Sequence, residues 1–420
     1  MPTHEVCPRM NRRVAITGMG IVTAHGIGKT VNWEQTIAGA SALRPITLFD
    51  VSQYKTKRAG QLVELPPAPW RRLRSSRLDR ASTLLYHALS EALVESGLSE
   101  GAWRSPPIVA LGTTLGGMTS GERYHASYVR KGPSLARPSA LVDHLAHCQP
   151  LHLMEEFSIP GSPRVYSNAC ASGANAVGHG FRSVRAGHAD VAFCGGYDPL
   201  CEFVFAGFHS LQALTVELCR PFDRNRSGLA IGEGAGILVL EPWGLAQARG
   251  ARVLGEIVGY GESNDAYHMT RPDPKGSVAA LAIRRALVDA GTDSETVDYV
   301  NAHGTGTPFN DAAEAAALID ILGTRTAEVP ISSTKSMIGH LLGGAGAVEG
   351  ILTVLALKER WLPPNVNFET PDPECDLRII RKAEQPERMR IALSNSFGFG
   401  GANATLAFRG LGADRWGNDQ

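Results

Sequence analysis

The chain has 420 residues, 43% of them hydrophobic, and its 41 Lys plus Arg balance 41 Asp plus Glu to a formal net charge of zero. That balance suits a protein with a large buried core and excludes overall charge as the means of holding nucleic acid. No window approaches the roughly 18 consecutive apolar residues of a membrane span.

The polar segment 1–13 is not followed by an apolar signal stretch, so the sequence reads as cytoplasmic, with no membrane partner. The seven cysteines (Cys7, Cys148, Cys170, Cys194, Cys201, Cys219 and Cys375) are odd in number, widely spaced and free of CxxC pairs. This excludes a disulfide framework and a zinc ribbon, and no metal site is expected. Glycine is over-represented, with 46 residues against a usual share of about 7%. Clusters such as Gly18-Met-Gly20, Gly195-Gly196, Gly343-Gly344 and Gly398-Phe-Gly400-Gly401 read as tight turns beside apolar runs.

Apolar patterning predicts strands and helices in alternation. A strand over 14–17 comes first, then a helix over 81–96 and a strand over 108–112. A strand over 164–167 leads into a helix over 173–186, followed by strands over 191–194 and 236–240. A helix over 277–290, a strand over 299–301 and a helix over 312–322 follow. A strand over 329–332 then leads into a helix over 345–358, and strands over 390–393 and 404–408 close the chain. Alternation of this kind defines an α/β protein whose sheets are covered on both faces. The strand–turn–helix passages at 164–185 and 329–358 hint at duplication, with a seam near 250–265.

Four segments could carry chemistry. In Val165-Tyr-Ser-Asn-Ala-Cys170-Ala-Ser-Gly, a strand ends and a small-residue helix begins at Cys170. A helix N-terminus favours the thiolate, so a nucleophile and a buried structural cysteine both fit. In Asn301-Ala-His303-Gly-Thr-Gly-Thr307, a histidine leaves a strand end, where open α/β sheets bind ligands; a packing role also fits. In Ser333-Thr-Lys335-Ser-Met-Ile-Gly-His340, a lysine enters a Gly- and Ala-rich environment and needs an anionic partner, with Glu349, Asp311 and Glu314 as candidates. Ser394-Asn-Ser-Phe397-Gly-Phe399-Gly-Gly is either a plain turn or a mobile loop presenting backbone N–H groups.

Together these segments, with Arg220-Pro-Phe-Asp223, Gly232-Glu-Gly-Ala-Gly236 and Ala266-Tyr-His-Met-Thr270, resemble the elongating β-ketoacyl-acyl carrier protein synthases of the thiolase superfamily. The resemblance spans about Arg13 to Gly410. It implies a duplicated thiolase-like fold, layered α-β-α-β-α, with two mixed five-stranded sheets around a central helix layer. An N-terminal half, 1–260, then carries Cys170, and a C-terminal half, 261–420, carries His303, Lys335 and His340.

The resemblance further implies an acyl-Cys170 intermediate, an oxyanion hole from the N–H groups of Cys170 and Phe399, and His303 and His340 as donors to an enolate. Lys335 and Glu349 would form a charge pair. Thr305 and Thr307 would hold the 4'-phosphopantetheine arm, which arrives on the acyl carrier protein, so no resident cofactor is implied. Leu115 marks the acyl pocket, with Phe397 and Phe399 at the gate. The run Trp70–Arg80 holds five arginines; Arg71, Arg72, Arg74 and Arg77, extended by Arg130 and Lys131, are candidate docking residues for an acidic carrier. A homodimer is implied, with a heterodimer of related subunits as the alternative.

Two departures from the common elongating pattern bear on specificity. The stretch Leu214–Arg220 is short, with Gln212 near a usual arginine position, and Thr113, Thr114 and Met118 replace smaller residues at the acyl pocket. The competing readings are weaker. A non-catalytic chain-length-factor-like subunit lacks the nucleophile that Cys170 supplies. A thiolase lacks the Lys335 segment. Gly18-Met-Gly20 fails as a dinucleotide turn, because Thr23 stands where a third glycine is needed.

Overall fold

The computed structural model describes residues 12–412 except 75–77, 102, 135 and 137. Its main sheet has 11 strands, arranged as two five-strand runs plus the short Gly26–Ile27 strand. From the outer edge inward, the first run is Pro163–Tyr166, Ile108–Gly112, Ala192–Asp198, Gly234–Pro242 and Val14–Thr23. The second, from the seam outward, is Gly255–Asn264, Ala402–Arg409, Ile391–Gly398, Val297–Asn301 and Ile331–Ser332. Taken from the seam, both runs visit their own strands in the chain order first, fifth, fourth, second, third. In both, two antiparallel pairings are followed by two parallel ones. This common topology shows the duplication that the sequence only suggested.

The two five-stranded sheets meet edge to edge. Val14–Ile16 pairs with Pro242–Leu240 on one side and with Ile257–Gly255 on the other. The junction holds because Val14, Ala15 and Ile16 are buried and have no edge to expose to water.

Between the sheets lie the helices Ser172–Arg185 and Ala345–Glu359. The second is buried on every side from Ala345 to Leu357, as a helix apolar all round must be. The two approach closely because small residues face each other: a Cβ on Gly346 would lie 2.6 Å from the amide nitrogen of Ala174. Outer helices such as Arg80–Ser96 and Ser277–Asp289 cover the other faces.

Two of the glycine clusters are not turns. Gly18 and Gly20 lie inside the strand Val14–Thr23, and Gly195 and Gly196 lie inside Ala192–Asp198. A Cβ on Gly20 would sit 1.8 Å from the carbonyl oxygen of Ala88, and one on Gly18 2.2 Å from that of Ala92. Gly261 and Gly259 stand in the same relation to Ala282 and Ala286 in the second half. These glycines let a helix settle onto its strand. The strand Gly255–Asn264 and the helices Met118–Lys131, Cys148–Glu156 and Glu202–Ser210 were not anticipated from apolar patterning. Met118–Lys131 buries only Ser120, so it carries little apolar periodicity to read.

Candidate active site

Cys170 sits in a 3-10 turn, Ala169–Ala171, that feeds the central helix beginning at Ser172. The residue before it, Ala169, has φ 55°, a left-handed conformation that costs a non-glycine residue about 1–3 kcal/mol and is concentrated at functional sites. His303 follows the strand Val297–Asn301. His340 follows the four-residue helix Lys335–Ile338, and Leu342 beyond it is again left-handed at φ 53°. The Cys170 Sγ and one ring nitrogen of each histidine lie within 4.8 Å of one another. The imidazole rings are 5.2 Å apart and nearly perpendicular.

All three groups are buried, and burial sets their protonation. It pushes the Cys170 thiol up to about 12, against the pull of the Lys335 charge and of a hydrogen bond from the Phe399 backbone N–H. The helix start therefore does not make the resting thiolate that the sequence position suggested; desolvation outweighs it. Burial, then Lys335, holds both histidines well below their ordinary value, so they are neutral imidazoles.

Nδ1 of His340 accepts the Leu342 N–H at 3.0 Å, which assigns the ring proton to Nε2, a buried atom with no partner among the described residues. That tautomer also makes His340 a donor into the site rather than a metal ligand through Nε2.

Lys335 pairs with Glu349, both 1% exposed. Burial raises the Glu349 carboxyl to about 7, opposed by Lys335. The other two candidate partners serve elsewhere. Glu314 accepts the backbone N–H groups of His303 and Gly304 at 2.8 and 2.7 Å and the Asn395 amide at 3.1 Å. Asp311 accepts from Phe222 and Gly306.

A cavity of about 330 Å³ opens over Cys170, His303 and His340. Thr305 and Thr307 line it, their hydroxyls 2.9 Å apart. Phe397 and Phe399 also line it but occupy different places. Phe397 is buried with its ring 6.0 Å from His303, whereas Phe399 is partly exposed and stacks on Phe208 at 5.6 Å.

Leu115 does not line this cavity. It packs in an apolar cluster with Phe205, Leu200, Val204, Ile231 and Leu342. Its N–H, with the N–H of Thr114 and the hydroxyl of Thr113, is bound by Asp198, which also accepts the Gly343 N–H at 2.6 Å. Asp198 is fully buried and ties the Leu115 loop to the turn after His340. Sequence reasoning missed it, since a lone aspartate at a strand end carries no distinctive signal.

The basic run is unevenly available. Arg71 is committed to Glu100 and Glu156, and Arg72 binds Ser158. Arg80 forks onto Glu233. Arg74, Arg130 and Lys131 are exposed, and Arg77 lies outside the described residues. The six described cysteines are free and buried.

A buried thiol beside two neutral imidazoles, beyond strand ends of a duplicated α/β fold, is the arrangement of a thioester-handling condensing enzyme of the thiolase type. The comparisons agree: residues 11–244 match the family model "Beta-ketoacyl synthase, N-terminal domain" and residues 254–369 match "Beta-ketoacyl synthase, C-terminal domain". The chain belongs to the β-ketoacyl synthase family. It is 39% identical over 409 residues to 3-oxoacyl-[acyl-carrier-protein] synthase 2 of Synechocystis sp., covering 95% of this chain and 98% of that one. It is 37% identical over 410 residues to the protein of the same name from Staphylococcus aureus, at the same coverage. Among solved structures, it resembles the ishigamide ketosynthase/chain length factor with TM-score 0.91 and 36% identity, over 96% of this chain and all of that one. No helix among the described residues is long and apolar enough to cross a membrane.

Proposed function

We propose that Cys170, His303 and His340 carry out a decarboxylative Claisen condensation between an acyl thioester and malonyl-acyl carrier protein. The supporting observation is the convergence of one thiol and two neutral imidazoles, with the His340 proton fixed on Nε2. Attack on the incoming thioester transfers the acyl group to Cys170 as a neighbouring imidazole takes the thiol proton. The N–H groups of Cys170 and Phe399 receive the oxyanion, a donor of this kind contributing about 3–4 kcal/mol. The displaced arm takes that proton back from the imidazole and leaves as a thiol, and malonyl carrier follows. Loss of carbon dioxide leaves an enolate, to whose oxygen His303 and His340 donate. The enolate carbon then attacks acyl-Cys170, expelling the thiolate and giving a 3-oxoacyl carrier two carbons longer.

Lys335, paired with Glu349, acts through charge: it adds to the burial that holds the histidines neutral, and it draws the Cys170 thiol down. Thr305 and Thr307 bind the arm, Leu115 and its cluster shape the acyl pocket, and Phe399 gates it. The carrier docks on exposed cations that include Arg74, Arg130 and Lys131. The reaction needs no resident cofactor and proceeds in the cytoplasm. The pathway is fatty acid synthesis or a related polyketide or polyene route.

The chain forms a homodimer, or pairs with a related subunit as in solved ketosynthase–chain length factor complexes such as that from Xenorhabdus doucetiae, of TM-score 0.81 and 28% identity. Incubation with malonyl carrier and a ladder of acyl carriers, followed by mass, tests the reading. A product two carbons longer, abolished by Cys170→Ala, supports it. Failure of any acyl carrier to load Cys170 overturns it in favour of a silent partner subunit.

A further inference from the structure

The cavity over Cys170 grades outward from buried to open. Thr305 is 5% exposed, Thr307 is half-buried and Phe309 is 58% exposed. At this outer end stands Arg271, itself exposed, with its guanidinium over the Phe309 ring at 4.7 Å. Among the described residues lining the cavity, Arg271 is the one fixed cation and Asp265 the one carboxylate. Asp265 is already engaged, accepting from Asn403 Nδ2 at 2.6 Å and from the Asp273 N–H at 3.0 Å. Arg271 makes no ion pair among the described residues, and its contact is with the aromatic face of Phe309.

An arginine without a carboxylate among the described residues, held over an aromatic ring at the open end of the cavity, is a ready anion receptor. Its fork matches a phosphate in two parallel hydrogen bonds, and stacking limits the rotamer freedom lost on binding. A substrate with its thioester at Cys170 and an anion at the far end of a long arm would be registered at both ends.

We infer that Arg271, held on Phe309, binds the phosphodiester at the outer end of the carrier's 4'-phosphopantetheine arm. The inference rests on the thioester reading above for the identity of the arm, but its test does not require turnover. Arg271 therefore sets a preference for phosphorylated over unphosphorylated arms, independent of the cations on which the carrier docks. Phe309 serves it as a positioning residue.

Calorimetric titration of the full chain with 4'-phosphopantetheine and with pantetheine reads this directly. The wild type is expected to prefer the phosphorylated form by about tenfold at low salt. Arg271→Ala reduces that ratio to about one, Arg271→Lys keeps part of it, and Phe309→Leu lowers it while Arg271 remains. The same ratio is read in Cys170 acylation by acyl-phosphopantetheine against acyl-pantetheine. An unchanged ratio in Arg271→Ala, or no preference in the wild type, overturns the inference while condensation stands. An Arg271-dependent preference in a protein that never acylates Cys170 upholds the phosphate site and sinks the condensing reading instead.

Discussion

Nδ1 of His340 accepts the N–H of Leu342, two residues further along the chain, at 3.0 Å. The bond fixes the ring as a donor through Nε2, and the left-handed backbone of Leu342 (φ 53°) supplies its geometry. A donor matters when negative charge develops on the malonyl-derived enolate, and less when acyl transfer is served by backbone N–H groups. His340→Ala is therefore expected to lower condensation by about 10²–10³-fold while acyl-Cys170 still accumulates. Mass analysis of the protein and of the carrier products separates the two half-reactions. Loss of both in equal measure would contradict this division of labour.

The thiol of Cys170 is pushed up to about 12, so at neutral pH it is protonated until a neighbouring imidazole takes its proton. Alkylation by iodoacetamide, which needs the thiolate, is expected to rise steadily from pH 7 to pH 10 without levelling. The histidines are held well below 6.5, so they add no acid limb above about pH 6. A plateau of the alkylation rate below pH 8 would show a preformed thiolate and refute the protonated resting state.

Lys335 and Glu349 are each 1% exposed. Breaking such a buried pair from one side costs about 3–5 kcal/mol, whereas replacing both partners with apolar groups is often close to neutral. Glu349→Gln should thus lower the denaturation midpoint far more than the double change Lys335→Met with Glu349→Leu. The double variant should nonetheless fail in catalysis, because the charge that draws Cys170 down and adds to the burial keeping the histidines neutral is gone. Urea titrations of both proteins, with condensation assayed on the better folded one, check the claim. Full activity in the double variant would remove Lys335 from the mechanism.

Much of this site is legible in the sequence because its chemistry is concentrated in short motifs at strand ends. Cys170, His303, Lys335 and His340 each announce themselves by residue type among small neighbours. What stayed hidden is held by long-range packing. Asp198 reaches Gly343 across 145 positions of chain, and no local pattern records that bond. Gly18 and Gly20 resemble turn residues locally, and only the helix Arg80–Ser96 pressing on them explains why the strand continues through them. The Cys170 thiol was misread in the same way, since a helix start is visible in sequence and the burial that outweighs it is not.

The glycines permit a paired test of that packing. A Cβ at Gly20 would lie 1.8 Å from the Ala88 carbonyl oxygen, backbone that cannot yield cheaply, whereas one at Gly207, in the helix Glu202–Ser210, meets nothing within 4 Å. Gly20→Ala is expected to destabilise the fold by about 2 kcal/mol or more through overpacking. Gly207→Ala should stabilise it by about 0.5–1 kcal/mol, through helix propensity and a less flexible unfolded chain. Thermal denaturation of the two variants beside wild type decides the matter. Equal stability of Gly20→Ala and wild type would mean the strand and helix are not in contact there.

Asp198 offers a test by pH. Burial raises its carboxyl to about 6, against the hydrogen bonds from Thr113, Leu115, Thr114 and Gly343 that favour the anion. A carboxyl raised in the folded state is protonated there while the unfolded chain is already ionised, between about pH 4 and pH 6. In that window the folded protein binds more protons, so stability falls as pH rises. The contribution is complete below about pH 4 and lost as pH passes through about 6. Asp198→Asn mimics the neutral form at every pH and cancels all other titrations in the difference. The stability of wild type relative to Asp198→Asn is therefore expected to fall from pH 4.5 to pH 7 in urea denaturation. A difference that stays constant over the same range would show that the four donors, not burial, control this carboxyl and that it is ionised throughout.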